Sequence, residues 1–305
     1  MDMRRALHHA LGTASFAAAV FISYPAKAVE YGFSEYFLGL TIPMSGYMPP
    51  PGAYFWDSFL LYNGKQPGLS SSLLVNIAQA GWFLDTEILG ATPGFVATIP
   101  FIGNKNWIPP KLTNGAVERA AQTDDIASLG DTDYAAVLGW HAGNNNWALV
   151  MTGFVPTGNY DPNRFVQTGL NRPALDIKGA YTFFNPETGA EISAALGITF
   201  NARNNKTDYQ NGAELHFEWA LNQHFSGGWA AGLGGYFYQQ VTDDYGSGDL
   251  VGPFRGRAAA IGPLLSYSYI EGPQQLNLSG RWFHEFGVVN RPEGDTIYAT
   301  LNFPL

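Results

Sequence analysis

The sequence predicts an all-β fold, a closed antiparallel transmembrane β-barrel of about twelve strands with a short N-terminal plug-like extension. Three observations predict it. Charged residues are sparse at 13%, while aromatic residues reach 15% and glycine occupies 36 positions. That composition suits a lipid-facing band, aromatic girdles and a polar interior. Several segments alternate apolar and polar residues with period two, as a strand with two unlike faces does. Beyond the N-terminus no stretch reads as a membrane-spanning helix: long uncharged runs such as 36–56 are broken by proline and glycine. A membrane protein without such helices must close its sheet, because an open edge cannot sit in lipid.

The chain starts with a short basic region, Arg4 and Arg5, followed by an apolar run over 10–22 and then Ala26-Lys27-Ala28. This three-part pattern reads as a cleavable signal peptide over 1–28. The apolar run of about 13 residues is short of the roughly 20 that a spanning helix needs. Cleavage would remove Arg4, Arg5 and Lys27 but only one acid, Asp2, so the rest is more acidic than the whole chain at −9. Nucleic acid as a partner is excluded, since it needs a basic face. The chain has no cysteine, so neither disulfides nor thiolate metal sites contribute.

Residues 29–52 form the extension. They carry Pro43, the run Pro49, Pro50, Pro51 and Gly52, and the aromatic residues Tyr31, Phe33, Tyr36 and Phe37. Consecutive prolines favour an extended conformation. Two readings stay open: a plug in the lumen or across its periplasmic mouth, or a leader that orders only the first strand.

The barrel is expected over 53–305. In Glu214 to Leu221, Leu215, Phe217, Trp219 and Leu221 share one face, opposite Glu214, His216 and Glu218. The segments 191–200 and 275–282 alternate in the same way. Strands are expected near 53–62, 72–89, 93–103, 132–142, 147–155, 173–184, 189–201, 212–222, 229–241, 255–269, 274–285 and 295–304. The linkers alternate long (63–71, 104–131, 156–172, 202–211, 242–254, 286–294) and short (90–92, 143–146, 185–188, 223–228, 270–273). Short ones carry turn chemistry such as Gly143-Asn144-Asn145-Asn146. An even strand number with short periplasmic turns and longer outside loops is the outer-membrane pattern. Ten or fourteen strands also fit, the split at 90–92 being the least marked. A soluble β-sandwich or propeller would show more Lys and Glu outside and less regular loop lengths.

If the apolar faces meet lipid, the opposite faces line the lumen. That sends Asp133, His141, Asp176, Lys178, Glu191, Glu214, His216, Glu218 and Arg281 inward. Basic residues facing the lipid midplane would cost about 2–4 kcal/mol, acids less. The inventory reads as ion pairs bracing a narrow lumen or as a polar constriction that selects permeants. Trp107, Tyr160 and Phe165, in the expected loops 104–131 and 156–172, are candidates for catching an apolar ligand, or else order the loops themselves. His216, between two acids on one face, is the candidate base for a barrel hydrolase. No Gly-x-Ser-x-Gly or His-Glu-x-x-His motif accompanies it, and no metal-ligand spacing or cofactor motif stands out.

Five segments resemble the outer-membrane transporters of the phenol meta-degradation pathway, the SphA-like proteins. They are Pro49-Pro50-Pro51-Gly52-Ala53-Tyr54 leading into Leu60-Leu61-Tyr62-Asn63-Gly64; Pro156-Thr157-Gly158-Asn159-Tyr160-Asp161; Pro186-Glu187-Thr188-Gly189-Ala190-Glu191 with Asn201, Asn205 and Thr207-Asp208-Tyr209; Gly234 to Val241 with Gly262-Pro263; and Asn290-Arg291-Pro292-Glu293-Gly294-Asp295 with the closing Phe303-Pro304-Leu305. The resemblance covers nearly the whole chain after the signal and brings no catalytic residues with it. It implies a barrel that admits small hydrophobic or aromatic compounds. The expected function is thus outer-membrane uptake of such compounds. Expected partners are outer-membrane lipids and lipopolysaccharide, the barrel assembly machinery during biogenesis, and the permeant. A closed structural or adhesive barrel and a barrel hydrolase are the alternatives.

Overall fold

In the computed structural model, residues 34–113, 116–249, 255–271 and 274–305 are described. The expected signal peptide lies outside them. Among these described residues fifteen strands occur in chain order: β1 (Gly52–Gln66), β2 (Leu69–Phe83), β3 (Thr92–Ile108), β4 (Lys111–Thr113), β5 (Ala116–Arg119), β6 (Gln122–Leu129), β7 (Thr132–Ala142), β8 (Asn145–Val155), β9 (Ala174–Asn185), β10 (Ala190–Asn201), β11 (Glu214–His224), β12 (Trp229–Gln240), β13 (Arg257–Glu271), β14 (Gln274–Val289) and β15 (Glu293–Pro304).

All barrel strands pair antiparallel with their neighbours. β1 closes the sheet against β15 from Tyr54↔Pro304 to Lys65↔Glu293, and the Leu305 N–H donates to the Ala53 carbonyl at 2.8 Å. β3 splits its partner: Thr92 to Thr98 pair with β7, and Phe101 to Ile108 with β6. β6 and β7 are therefore one barrel strand interrupted at Gly130 and Asp131. The result is a closed barrel of twelve strands, as the alternation predicts, with the small β4–β5 hairpin outside it.

The strands run further than the apolar pattern does. The expected long linkers 63–71 and 286–294 are tight hairpins, with Gly68 and Asn290 at positive φ (79° and 56°). The expected loop 104–131 is mostly strand. Polar residues such as Asn63, Lys65, Ser70 and Ser72 end the apolar alternation there, but their backbones stay paired. In the opposite sense, the strand expected over 72–89 ends at Phe83. Residues 84–91 form a periplasmic turn closed by Leu84 N–H to Pro93 O at 2.9 Å and by the Ile88–Ala91 bridge.

Burial follows the parity of each strand. Phe59, Leu74, Phe95, Ile192, Leu221 and Leu265 are among the outward side chains that stay exposed, while Asp176, Glu191, Glu214, His216 and Glu218 are fully buried. A soluble protein would do the reverse. With lipid as the outer solvent, this is the favoured arrangement. Trp82, Trp147 and Trp229 sit outward near the short-turn end, where they supply an aromatic girdle.

Candidate functional site

The barrel interior is occupied by the residues that precede β1. Ile42 is 1% exposed and joins an apolar cluster with Leu60, Val75, Ile77, Phe283 and Tyr298. Around this cluster, inward polar side chains grip the segment backbone. Glu218 accepts from the Gly39 N–H and the Thr41 hydroxyl, each at 2.5 Å. Arg281 donates to the carbonyls of Gly39 (3.1 Å), Leu40 (2.8 Å) and Ile42, and its other terminal nitrogen to Thr300 at 2.7 Å. Glu191 accepts from the Met44 N–H at 2.9 Å. The Gly46 N–H donates to Thr182 at 3.0 Å, so close that a Cβ at Gly46 would lie 2.6 Å from the Thr182 nitrogen.

The nine inward residues expected from the sequence fall into distinct places. Asp176, Lys178, His216 and Glu218 meet on one wall. His216 Nε2 lies 2.7 Å from Asp176 Oδ1, which also accepts from the Thr199 hydroxyl at 2.8 Å. The His216 ring stacks on Tyr36 with centroids 3.7 Å apart, and Lys178 donates to the Tyr36 hydroxyl at 3.1 Å. His216 Nδ1 is buried without a partner beneath this ring. Glu191 stands lower on the wall, near His224 Nε2 at 2.8 Å. Glu214 accepts from Asn201 at 2.8 Å, Asp133 is half-buried, and Arg281 stands on β14, three strands on from Glu218. His141 is the correction. Its parity points inward, but it lies at the periplasmic rim, exposed, with Nδ1 2.7 Å from Asn146 Oδ1. Strand parity sets direction, not depth, and β7 ends one residue later.

Pro49, Pro50, Pro51 and Gly52 are also displaced from the interior. Pro50 and Pro51 are exposed and carry the chain from the interior to β1 at the periplasmic mouth. The contacts inside the barrel come instead from residues 34–48, with Glu35 buried at one end and Met48 packed against Val137, Ala148, Ala180 and Ala195 at the other. Trp107 is a second correction. It lies on β3 and points outward, 43% exposed, because Asn104, Asn106 and Ile108 take the inward positions. Tyr160 and Phe165 do lie in a loop, both half-buried. That loop, 156–173, folds over the inner face of the outer mouth. Asp131 accepts from the Gly158 and Leu170 N–H groups (2.7 and 2.6 Å), and Asn104 donates to the Gln167 carbonyl at 3.0 Å. Val166 is fully buried there. In the neighbouring outer segment 241–249, burial pushes the Asp244 carboxyl up to about 6 against the hydrogen bonds it accepts from Tyr209, Gly212 and Gln240.

Outward of the segment lies a half-open cavity of about 100 Å³. Leu38, Leu60, Leu73 and Val75 give it apolar walls, and Tyr36, Tyr62, Tyr236 and Tyr298 line it with aromatic faces. Its polar end holds Glu285, which accepts from Tyr236 (2.9 Å) and the Gly294 N–H (3.0 Å); the Tyr62 hydroxyl lies between the Pro292 carbonyl (2.8 Å) and Glu285 (3.2 Å) and shares its one proton with them. Arg291 lines the same end, its guanidinium 4.3 Å from the Tyr238 ring centroid. None of these residues stands out by alternation, because Leu60 and Val75 are apolar on an inward face. A signal did exist: Leu60, Tyr62, Tyr236 and Asn290 to Pro292 all belong to the segments that carry the family resemblance, and they converge on this cavity.

A closed barrel with an apolar outer band and charged inner walls defines an outer-membrane β-barrel protein. The chain belongs to the family described as "Putative MetA-pathway of phenol degradation", which matches residues 55–301. Among solved structures it is similar to an outer membrane channel from Pseudomonas putida F1, with TM-score 0.65 and 14% identity over 87% of this chain and 99% of that one. Looser likenesses include the β domain of the Bordetella autotransporter BrkA (TM-score 0.46, 10% identity, 84% of this chain and 100% of that one). Another is a Pseudomonas aeruginosa FadL homologue (TM-score 0.41, 7% identity, 83% and 89%). No curated protein matches the chain.

Proposed function

We propose that this protein is an outer-membrane channel for uptake of small hydrophobic, aromatic compounds, with the outward cavity as its first binding site and residues 34–48 as an internal plug. The cavity is the observation that carries the reading. It combines apolar walls and aromatic faces with a few fixed polar groups, as small-molecule sites do. Its volume is of the order of a buried site of roughly 150 Å³ that takes benzene. Its floor is made by Tyr36, Phe37 and Leu38 of the segment, so passage inward requires that segment to shift. Lipopolysaccharide slows apolar solutes, and a channel with this lining offers them a way past it. The family membership and the fold of the Pseudomonas putida channel support the reading.

The test is initial uptake of a labelled single-ring aromatic compound at low concentration. A deletion strain should be slow, the complemented strain restored, and a strain complemented with Val75→Trp, which fills the cavity, slow at equal surface level. Equal rates in all strains would refute transport. A second reading, a closed barrel for envelope structure, is favoured by one observation: the segment is hydrogen-bonded on two sides, through Glu218 and Arg281. Under that reading purified protein shows no solute-dependent conductance.

A further inference from the structure

We propose that the outer face of β1 and β2 is an interface with a second copy of this chain in the membrane, centred on Asp57 and Asn76. Both residues take outward positions, since strand neighbours alternate faces and Ser58, Val75 and Ile77 beside them are buried inward. Along β1 Asp57 stands between Phe55 and Phe59, and along β2 Asn76 stands between Leu74 and Ala78. The Asn76 amide donates to the Asp57 carboxylate at 2.6 Å across the strand pair. Among the described residues this is the one side-chain hydrogen bond that either makes. The second Asp57 oxygen and the second Asn76 N–H stay open.

The pair lies deep in the lipid-facing band. Asp57 is four residues in from Ala53, which pairs with the girdle residue Trp82. At about 3.3 Å per residue and a tilt near 40°, that is about 10 Å along the barrel axis, toward the middle of an apolar band about 25 Å tall. Carboxylate and amide side chains at other outward positions lie toward the barrel ends, as Asn63, Gln223 and Asp295 do. Hydrocarbon offers no partner to the open groups, and phospholipid headgroups sit too far out to reach them.

A second copy supplies what lipid lacks. In a two-fold contact the same patch faces itself. The open Asn76 N–H of each copy then donates to the open Asp57 oxygen of the other, and each amide bridges two carboxylates. Small outward side chains let membrane-embedded surfaces approach closely. Ala78 and Ala80 follow Asn76 on β2, and Ala299 and Gly280 lie on β15 and β14. A Cβ at Gly280 would meet only the Tyr298 carbonyl oxygen, at 4.0 Å. Gly280 and Ala299 belong to an outer groove walled by Phe59, Leu265 and Leu301 and reaching Asp57, which receives a protruding side chain of the other copy.

The chain has no cysteine, so oxidative cross-linking of single-cysteine variants in outer membranes tests this. Copper phenanthroline should join Ala78→Cys into a dimer. It should leave Leu196→Cys monomeric, because Leu196 points outward on β10, six strands around the barrel from β1. Light scattering on the purified protein in mild detergent should give the mass of two chains. Asp57→Leu with Asn76→Leu should weaken the dimer about tenfold in a dilution series, the effect of losing two symmetry-related hydrogen bonds in a membrane. Both changes set an apolar side chain against lipid, so the barrel should still fold, and the gel shift between heated and unheated samples checks that it does. Asn76→Ala alone should act in the same direction and serves if the double variant fails to fold. A monomeric or trimeric native mass, equal cross-linking at positions 78 and 196, or a dimer unchanged in the folded variants overturns the proposal.

Discussion

Replacing Arg281 by Met should loosen the internal segment without unfolding the barrel. Arg281 is buried and directs one terminal nitrogen at three segment carbonyls, those of Gly39, Leu40 and Ile42. That nitrogen carries two hydrogens, so the three carbonyls share the equivalent of two charge-assisted bonds. Each such bond contributes about 1.5–3 kcal/mol, or about 3–6 together. The freed carbonyls recover part of this from water that follows the smaller polar demand, leaving a loss of about 2–4 kcal/mol. At 1.4 kcal/mol per factor of ten, the ratio of seated to displaced segment falls roughly thirtyfold to several-hundred-fold. The barrel itself keeps its backbone ladders and a side chain of similar length. The chain has no cysteine, so Ser45→Cys supplies a single reporter. Its native hydroxyl donates to the Ala194 carbonyl at 3.3 Å inside the barrel. The rate of thiol modification should rise by that factor when Arg281→Met is added, and bilayer recordings should show longer open periods. Glu218→Gln should do the same to a smaller extent. The two changes should not add, because both act on residues 39–42. A folded double variant with labelling and conductance unchanged from Ser45→Cys alone would refute the anchoring role.

Other regions carry their own tests. Asp131→Ala removes the acceptor for the Gly158 and Leu170 N–H groups. It should free loop 156–173 and speed its cleavage by added protease, by an amount set by about 2–4 kcal/mol of lost charge-assisted bonding. Asp244 has a carboxyl raised to about 6 by burial. The folded loop therefore binds a proton more tightly than the unfolded chain does. Its stability should rise as pH falls through 6 toward the ordinary carboxylate range and stay level above 6. Hydrogen exchange in 241–249 should show this trend in the native protein and lose it in Asp244→Asn. At the periplasmic turn, Gly189 has φ +73°, and a Cβ there would lie 2.1 Å from the His224 carbonyl oxygen. Gly189→Ala should destabilise the barrel by about 1–3 kcal/mol in urea unfolding. An unchanged midpoint would count against the turn geometry.

The strand number was legible because each membrane-spanning strand meets two solvents and must alternate. Glu214 to Leu221 carries that pattern plainly, and the ladder of β11 follows it. The pattern fades where the strand leaves the membrane, so Asn63 to Gln66 and Lys105 to Ile108 read as loop although they are paired. The same local rule named Asp176, Lys178, Glu191, His216, Glu218 and Arg281 as inward. It could not say how deep each lies, which left His141 at the rim, nor what each one touches. Trp107 was misplaced for the related reason that aromatic content alone does not tell a loop from the outward face of an extended strand.

By itself, then, the sequence determined the class of solvent around this protein, the closed antiparallel sheet and the inward direction of its charged residues. These follow from composition and period-two patterning, which are local. Only the tertiary structure decided that residues 34–48, and not the proline run, occupy the interior, and that Leu60, Tyr62, Tyr236, Glu285 and Arg291 enclose one cavity. Those groups come from opposite ends of the chain. They meet because β1 pairs with β15 and closes the barrel, and closure is a long-range event that no local pattern encodes.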